Sequence, residues 1–219
     1  MPLIYEETKK LPEVFTKEEI SLILETCNKI KTSKFDNAIF FRKRAKCIIF
    51  LCYSLALRPL EVLSLRFDDF NFKTMQIHIR AETNKERSER FLPIIPEIEP
   101  YLESYLSLPR LRFWGSSSYL FPSHNNKNKH LSSERWKGIF RQILKDAGLY
   151  IPCKENETVP RYRTYTLRHT RLSEIFEKSG DIYLVSNIAG HRKITSSNIY
   201  IHKSKDYMNY IKEKMSNLN

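Results

Sequence analysis

Apolar residues recur at helical spacing soon after the N-terminus, where Ile20, Ile23, Leu24, Cys27 and Ile30 share one face. They follow Thr16-Lys17-Glu18-Glu19, a threonine with a glutamate three residues on, which is the signature of a reciprocal cap at a helix start. A first helix is therefore predicted over 16–30. A polar break at 31–34 precedes a longer periodic stretch whose inner face is Ile39, Phe40, Ile48, Ile49, Cys52 and Leu55, ending near Leu57. Pro59 suits the first turn of a new helix, because its missing N–H would be unpaired there anyway, so PLEVLSL reads as a short helix and Arg58 stands at a helix junction. From Phe70 the period drops to two: Met75, Ile77 and Ile79 alternate with Gln76, His78 and Arg80. After a charged turn, AETNKERSE, a second strand resumes at Arg90-Phe91-Leu92, which predicts a hairpin. Helical spacing returns over Pro96–Leu106 and over Ser132–Ala147, the latter with Ser132 or Ser133 as cap, Trp136, Ile139, Phe140, Ile143 and Leu144 inward, and Gly148 as its stop. Polar loops, SHNNKNKH and 150–163, flank that helix, and three further helices are predicted near 166–178, 181–189 and 195–215, broken at Gly180 and Gly190. The expected fold class is α+β, mainly α-helical, with a small antiparallel β-sheet in one domain.

Composition narrows the function. The 219 residues hold 37 Lys and Arg against 25 Asp and Glu, a formal charge of +12, so a polyanion is the first partner to consider. Cys27, Cys47, Cys52 and Cys153 form no CxxC pair and read as buried or incidental thiols rather than a zinc knuckle or a disulfide framework. No apolar run is long enough for a membrane span, and the first residues, MPLIYEETKK, are too charged for a signal peptide, so a cytoplasmic protein without membrane contact is expected. The acidic residues form no metal constellation and the five glycines no phosphate-cradling loop, so neither metal nor cofactor is expected.

Four separated stretches carry residues suited to phosphate chemistry: LALRPLEVLSLRFDDF, ETNKERSERFLPI, YTLRHTRLSEIFEKSG and IAGHRKITSSNIYIH. Each is weak alone. In this order and setting, from about Leu11 onward, they resemble the tyrosine recombinase (integrase) family, whose DNA breaking-rejoining catalytic core is α-helical with a small sheet. The resemblance implies strand cleavage through a 3′-phosphotyrosyl link, with Tyr200 as nucleophile. It places Arg58 and Arg168 as the two catalytic arginines, each able to donate two parallel hydrogen bonds to a phosphodiester. Glu61 falls where the family carries an acidic residue on the same helical face as Arg58, and His169 is a core or supporting neighbour. Lys85, counted back from Leu92-Pro93-Ile94, matches the lysine that protonates the leaving 5′ oxygen. His191, after Gly190, matches a residue that hydrogen-bonds the phosphate or helps to position the nucleophile, and His202 supports Tyr200. Arg87, Arg90 and Lys193 are expected to contact DNA.

Tyr165 departs from the pattern, since it occupies the position of the histidine in the family's HxxR box, a variation similar to that of some archaeal plasmid-type integrases. A phenol can donate to a phosphate but is a poorer proton acceptor than imidazole. Tyr165 is therefore assigned to phosphate contact, and the general base is unnamed. The resemblance further implies double-stranded DNA as partner and a homo-tetramer on DNA, with a monomer in solution. Residues 1–13 read as an arm, 14–203 as the catalytic domain and 204–219 as a helical tail that packs either on a neighbour or on its own domain. The core-binding domain of longer relatives is not seen before Leu11; the chain reads either as truncated or as naturally short, like the fimbrial switch invertases. Two other readings use the same fold: a type IB topoisomerase and a catalytically silent DNA-binding regulator.

Overall fold

The computed structural model describes residues 13–31, 35–83, 87, 89–111, 115, 118–123, 126, 128–152 and 160–201. Eight α-helices among them are α1 (Lys17–Thr26), α2 (Phe35–Ser54), α3 (Pro59–Leu63), α4 (Glu99–Leu106), α5 (Ser133–Asp146), α6 (Thr164–Ser179), α7 (Ile182–Ala189) and α8 (Asn198–Ile201). The strands are β1 (Phe70–Asn71), β2 (Gln76–Ile79) and β3 (Arg90–Pro93), antiparallel in the order β1-β2-β3.

The helix starts follow their local chemistry. Thr16 accepts from the Glu19 backbone N–H while the Glu19 carboxylate accepts from the Thr16 N–H, the expected box, and Ser132 caps α5 by accepting from the Arg135 N–H. Asp181 caps α7 by accepting from the backbone N–H groups of Tyr183 and Leu184. α6 and α7 both end on a left-handed glycine, Gly180 at φ 63° and Gly190 at φ 62°.

α2 is the axle of the molecule. Its Cys47, Ile48, Ile49, Leu51 and Cys52 are fully buried, and it packs against α1, α3, α4 and α6. The main core continues through Leu63, Ile77, Ile79, Ile98, Tyr105, Phe121, Trp136 and Phe140. A second, smaller apolar cluster joins Ala56, Leu172, Phe176, Val185, Ala189 and Tyr200, and it is here that α6, α7 and α8 meet. Cys27, Cys47 and Cys52 are free thiols in these interiors, and burial pushes all three up from their ordinary pKa.

Three expectations change. The sheet has three strands, because Phe70 and Asn71 pair with Ile77 and Gln76; so short a strand leaves no periodic trace. Met75 does not join the inner face of Ile77 and Ile79, since it sits at φ 53° in the turn before β2 and is exposed. The region from 195 opens with a 3-10 turn, Ile194–Ser197, before α8; residues beyond 201 lie outside the described part.

Because α2 meets four other helices, truncating its buried face should be costly. Ile48→Ala is expected to lower unfolding stability by about 2–5 kcal/mol, read from the shift of the urea midpoint at unchanged slope. A midpoint within error of wild type would show that α2 is not the axle described.

Candidate active site

The α2–α3 junction does two jobs. Ala56 leaves α2 in the left-handed conformation, φ 51°, and its carbonyl oxygen accepts from Nη1 of Arg168 at 2.7 Å. Two residues later Arg58 occupies the position before Pro59, with extended backbone, and its N–H donates to Glu61 Oε2 at 2.8 Å. Arg58 Nη1 donates to Glu61 Oε1 at 3.0 Å, so the glutamate grips both ends of the arginine.

Glu61 itself is wholly buried, its side chain 0% exposed. Arg90 from β3 meets it in a fork, Nη1 to Oε1 and Nη2 to Oε2, both at 3.0 Å, and Arg168 Nη1 lies 3.9 Å from Oε2. Burial by itself would raise the pKa of this carboxyl. The bonds and charge of Arg90, the Arg58 N–H and the charge of Arg168 outweigh it, and the group is held below the ordinary carboxylate range.

Arg168 is almost fully buried on α6, and its Nη2 donates to the Ala189 carbonyl at 2.8 Å, at the negative end of α7. Burial, then repulsion from Arg58, lowers its pKa to about 10, so it remains charged at neutral pH. The same Nη2 lies 3.3 Å from His191 Nε2. A guanidinium only donates, so Nε2 must be the accepting nitrogen; the proton then sits on Nδ1, which donates to Ser197 Oγ at 2.8 Å. His191 is accordingly neutral: burial first, then the charges of Arg168, Arg58, Arg90 and His169, lower its pKa from 6.5 to about 4.

Tyr200 is 2% exposed in the small cluster, and its hydroxyl lies 3.1 Å from His169 Nδ1. Burial raises the phenol to about 12, although Arg168 and Arg58 pull it the other way. The buried phenol thus stays protonated at neutral pH and has a nitrogen base within hydrogen-bond reach.

The structure therefore brings together Arg58, Glu61, Arg168 and His191, and joins Tyr200 to His169. Tyr165, one turn before Arg168, is 47% exposed and lines a groove with Lys137, Arg141, Tyr150 and Arg163 on the flank of α5. Arg87 and Lys193 are exposed. Arg90, expected to contact DNA, has a side chain only 9% exposed, with its guanidinium bonded to Glu61 and, through Nε, to the Ile188 carbonyl at 3.1 Å. Lys85 and His202 lie outside the described residues. Ser197, fully buried against His191, was missed by sequence reasoning, since a serine in ITSS has nothing to mark it.

The model of the phage integrase family matches residues 13–206. The chain belongs to the phage integrase family. Among curated members of the family, Tyrosine recombinase XerD of Staphylococcus epidermidis is 28% identical over 199 residues, covering 90% of this chain and 60% of the relative. Tyrosine recombinase XerC of Chlamydia caviae is 26% identical over 196 residues, covering 90% and 56%. The chain thus spans little more than half the length of these relatives. Among solved structures, XerH site-specific recombinase bound to palindromic difH substrate, a post-cleavage complex, aligns with a TM-score of 0.69 at 24% identity, covering 92% of this chain and 53% of that one. The catalytic domain of bacteriophage HP1 integrase aligns with a TM-score of 0.57 at 18% identity, covering 90% and 92%. The fold is that of the catalytic domain of tyrosine recombinases.

The site makes the folded family core acid-sensitive. Glu61 has a depressed folded pKa, so its contribution is present above the ordinary carboxylate range and lost as pH falls through the folded value. His191 is also depressed, so the unfolded chain takes up its proton first and stability falls as pH drops from about 6.5 toward about 4. Urea midpoints measured from pH 7.5 to pH 4 should fall steadily, and His191→Gln should flatten that part of the curve; a midpoint that rises on acidification contradicts the assignment.

Proposed function

We propose that the chain is the catalytic domain of a site-specific DNA recombinase that cuts and rejoins double-stranded DNA through a 3′-phosphotyrosyl intermediate at Tyr200. The observation that carries this reading is the convergence of Arg58 and Arg168 on one buried carboxylate, with His191 against Arg168. With Arg90 on the same carboxylate, three cations beside a single anion leave a surplus of positive charge suited to a phosphodiester and to the charge that builds on it in the transition state. Supporting it, the relatives are named tyrosine recombinases, and XerH is described bound to its DNA substrate after cleavage.

In this mechanism the Tyr200 oxygen attacks phosphorus as the phenol proton passes to His169 Nδ1, which gives the missing general base a candidate. The bond from phosphorus to the 5′ oxygen breaks, and that oxygen takes a proton from Lys85, a role carried by the resemblance alone. Attack by a partner strand's 5′ hydroxyl reverses these steps and reseals the DNA. Energy of the broken bond is kept in the phosphotyrosyl link. Arg87 and Lys193 contact the DNA backbone, and Tyr165, facing a basic groove, contacts a phosphate at its edge. Four copies act on two DNA sites, as the family resemblance implies, and the protein works in the cytoplasm on chromosomal or plasmid DNA. No helix among the described residues is long and apolar enough to cross a membrane. Residues 14–203 are assigned to the catalytic unit; the expected arm, apart from Glu13, and the expected tail lie outside the described residues.

The exposed Tyr165, standing in the place of a catalytic histidine, favours one other reading, a DNA-binding regulator without cleavage activity.

A library of nicked duplexes of randomised sequence separates the two. Wild type should yield SDS-resistant protein–DNA adducts that map by mass spectrometry to Tyr200, Tyr200→Phe should yield none, and Arg58→Ala should slow adduct formation by about 10²- to 10³-fold. Duplex binding with no adduct from wild type would leave the regulator standing and the enzyme refuted. His169→Ala should slow the same reaction by about 10²-fold or more, with a smaller loss at pH 9 than at pH 7.

A further inference from the structure

Arg90 stands on the core face of its strand. Its cross-strand partner is the buried Ile79, and Leu92, two residues on, pairs with the buried Ile77. Side chains alternate faces along a strand, so the chain has placed a guanidinium where the pattern calls for an apolar residue. A charge there needs partners, and Arg90 finds them on two other elements. Its two Nη atoms fork onto Glu61 in the first turn of α3, and its Nε donates to the Ile188 carbonyl near the end of α7. The turn that follows α7 is moulded onto it: a Cβ at Gly190 would stand 2.9 Å from Arg90 Nη1, 3.1 Å from Cζ and 3.3 Å from Cδ. Gly190 is also at φ 62°, so the turn into His191 needs glycine both for its conformation and for the space Arg90 takes.

We propose that Arg90 is a positioning residue that fixes the distance between the Arg58 side of the site and the His191 side by bridging Glu61 to the end of α7. It touches no substrate. Remove the bridge and two things follow: Glu61 keeps only Arg58 and the more distant Arg168 as cationic neighbours, and the Gly190–His191 turn loses the surface on which it rests. Lysine cannot substitute, since its donors all sit on one nitrogen and cannot reproduce the planar fork onto Glu61 together with the separate Nε donor to Ile188.

The kinetic arm of this inference rests on the DNA-cleaving reading; the structural arm does not. In the unliganded protein, the His191 imidazole is followed by NMR through a pH titration in wild type, Arg90→Lys and Arg90→Gln. The groups facing His191 are Arg168, Arg58, Arg90 and His169, with Ser197 bonded to its ring. Its pKa should rise from about 4 toward the ordinary 6.5 in Arg90→Gln, where a cation is lost, and should also rise in Arg90→Lys, where the charge is kept and only the bridge is lost. In the adduct assay, on nicked duplexes recovered from the randomised library as adducts of the wild type, both variants should lose about 10- to 100-fold in single-turnover rate at saturating DNA, as expected for misplaced groups. Duplex affinity should hold within about threefold.

Gly190→Ala, which injures the same contact from the other side, should reproduce the rate loss and add little to Arg90→Lys in the double variant. If Arg90→Gln does not fold, Arg90→Lys and Gly190→Ala carry the test. An unchanged His191 titration in Arg90→Lys overturns the proposal whatever the DNA assay gives. So does a loss of duplex affinity with full rate at saturation, which would make Arg90 the DNA contact its sequence position suggests. Absence of any adduct in wild type, with the titration shifted as expected, would sink the cleavage reading and leave the bridge intact.

Discussion

One carboxylate, sealed from water, organises three arginines that come from three different parts of the chain. Glu61 is bonded to Arg58 within its own turn, to Arg90 from the sheet, and lies within 3.9 Å of Arg168 from α6. A lone charge at that depth would cost several kcal/mol, and a lone guanidinium as much. Neither side can be buried without the other. The cluster also holds more positive charge than negative, and the lowered pKa of Arg168, caused by burial and then by Arg58, is the internal sign of that strain. Backbone carbonyls of Ala56, Ala189 and Ile188 satisfy part of that excess, and the charge left over is what suits the junction to the proposed phosphate site.

The rest of the fold serves this cluster by presenting ends of elements to it. Two residues past α2 the left-handed Ala56 turns its carbonyl to Arg168, Arg58 stands just before α3, and α7 ends with two successive carbonyls, Ile188 and Ala189, accepting from Arg90 and Arg168. Helix ends have unpaired backbone groups that must find partners, and here the partners are the arginines of the site. The polar groups of the site and the backbone groups that folding leaves over satisfy one another. The neighbouring apolar cluster then holds Tyr200 in place through α6 and α7.

Much of this was legible in the sequence because it is local. The Thr16–Glu19 cap, the break before Pro59, the stops at Gly180 and Gly190 and the inner face of α2 all arise from residues within a few positions of one another. What escaped depends on pairings that no short window contains. β1 is two residues long and is recognisable only from its partner. Arg90 sits in a charged stretch that looks like a surface turn, yet its bond to Ile188 spans 98 positions; the one available signal was its alternation with Leu92, which puts it on the core side. His169 and Tyr200 were each noticed, but their contact joins α6 to α8 across the small cluster.

The tautomer of His191 bears on how such a site distinguishes an empty state from a loaded one. With Nε2 accepting from Arg168 and Nδ1 donating to Ser197, the ring has no proton to offer a phosphate from Nε2. Its lowered pKa has the same origin, burial and a ring of cations. In the proposed function, a phosphodiester between Arg58 and Arg168 would bring negative charge to those cations and compete for the Arg168 donor now facing Nε2. Both changes favour protonation of that nitrogen. In the proposed reading, Nε2 would gain a proton to donate as the phosphate arrives, while Nδ1 keeps its bond to Ser197.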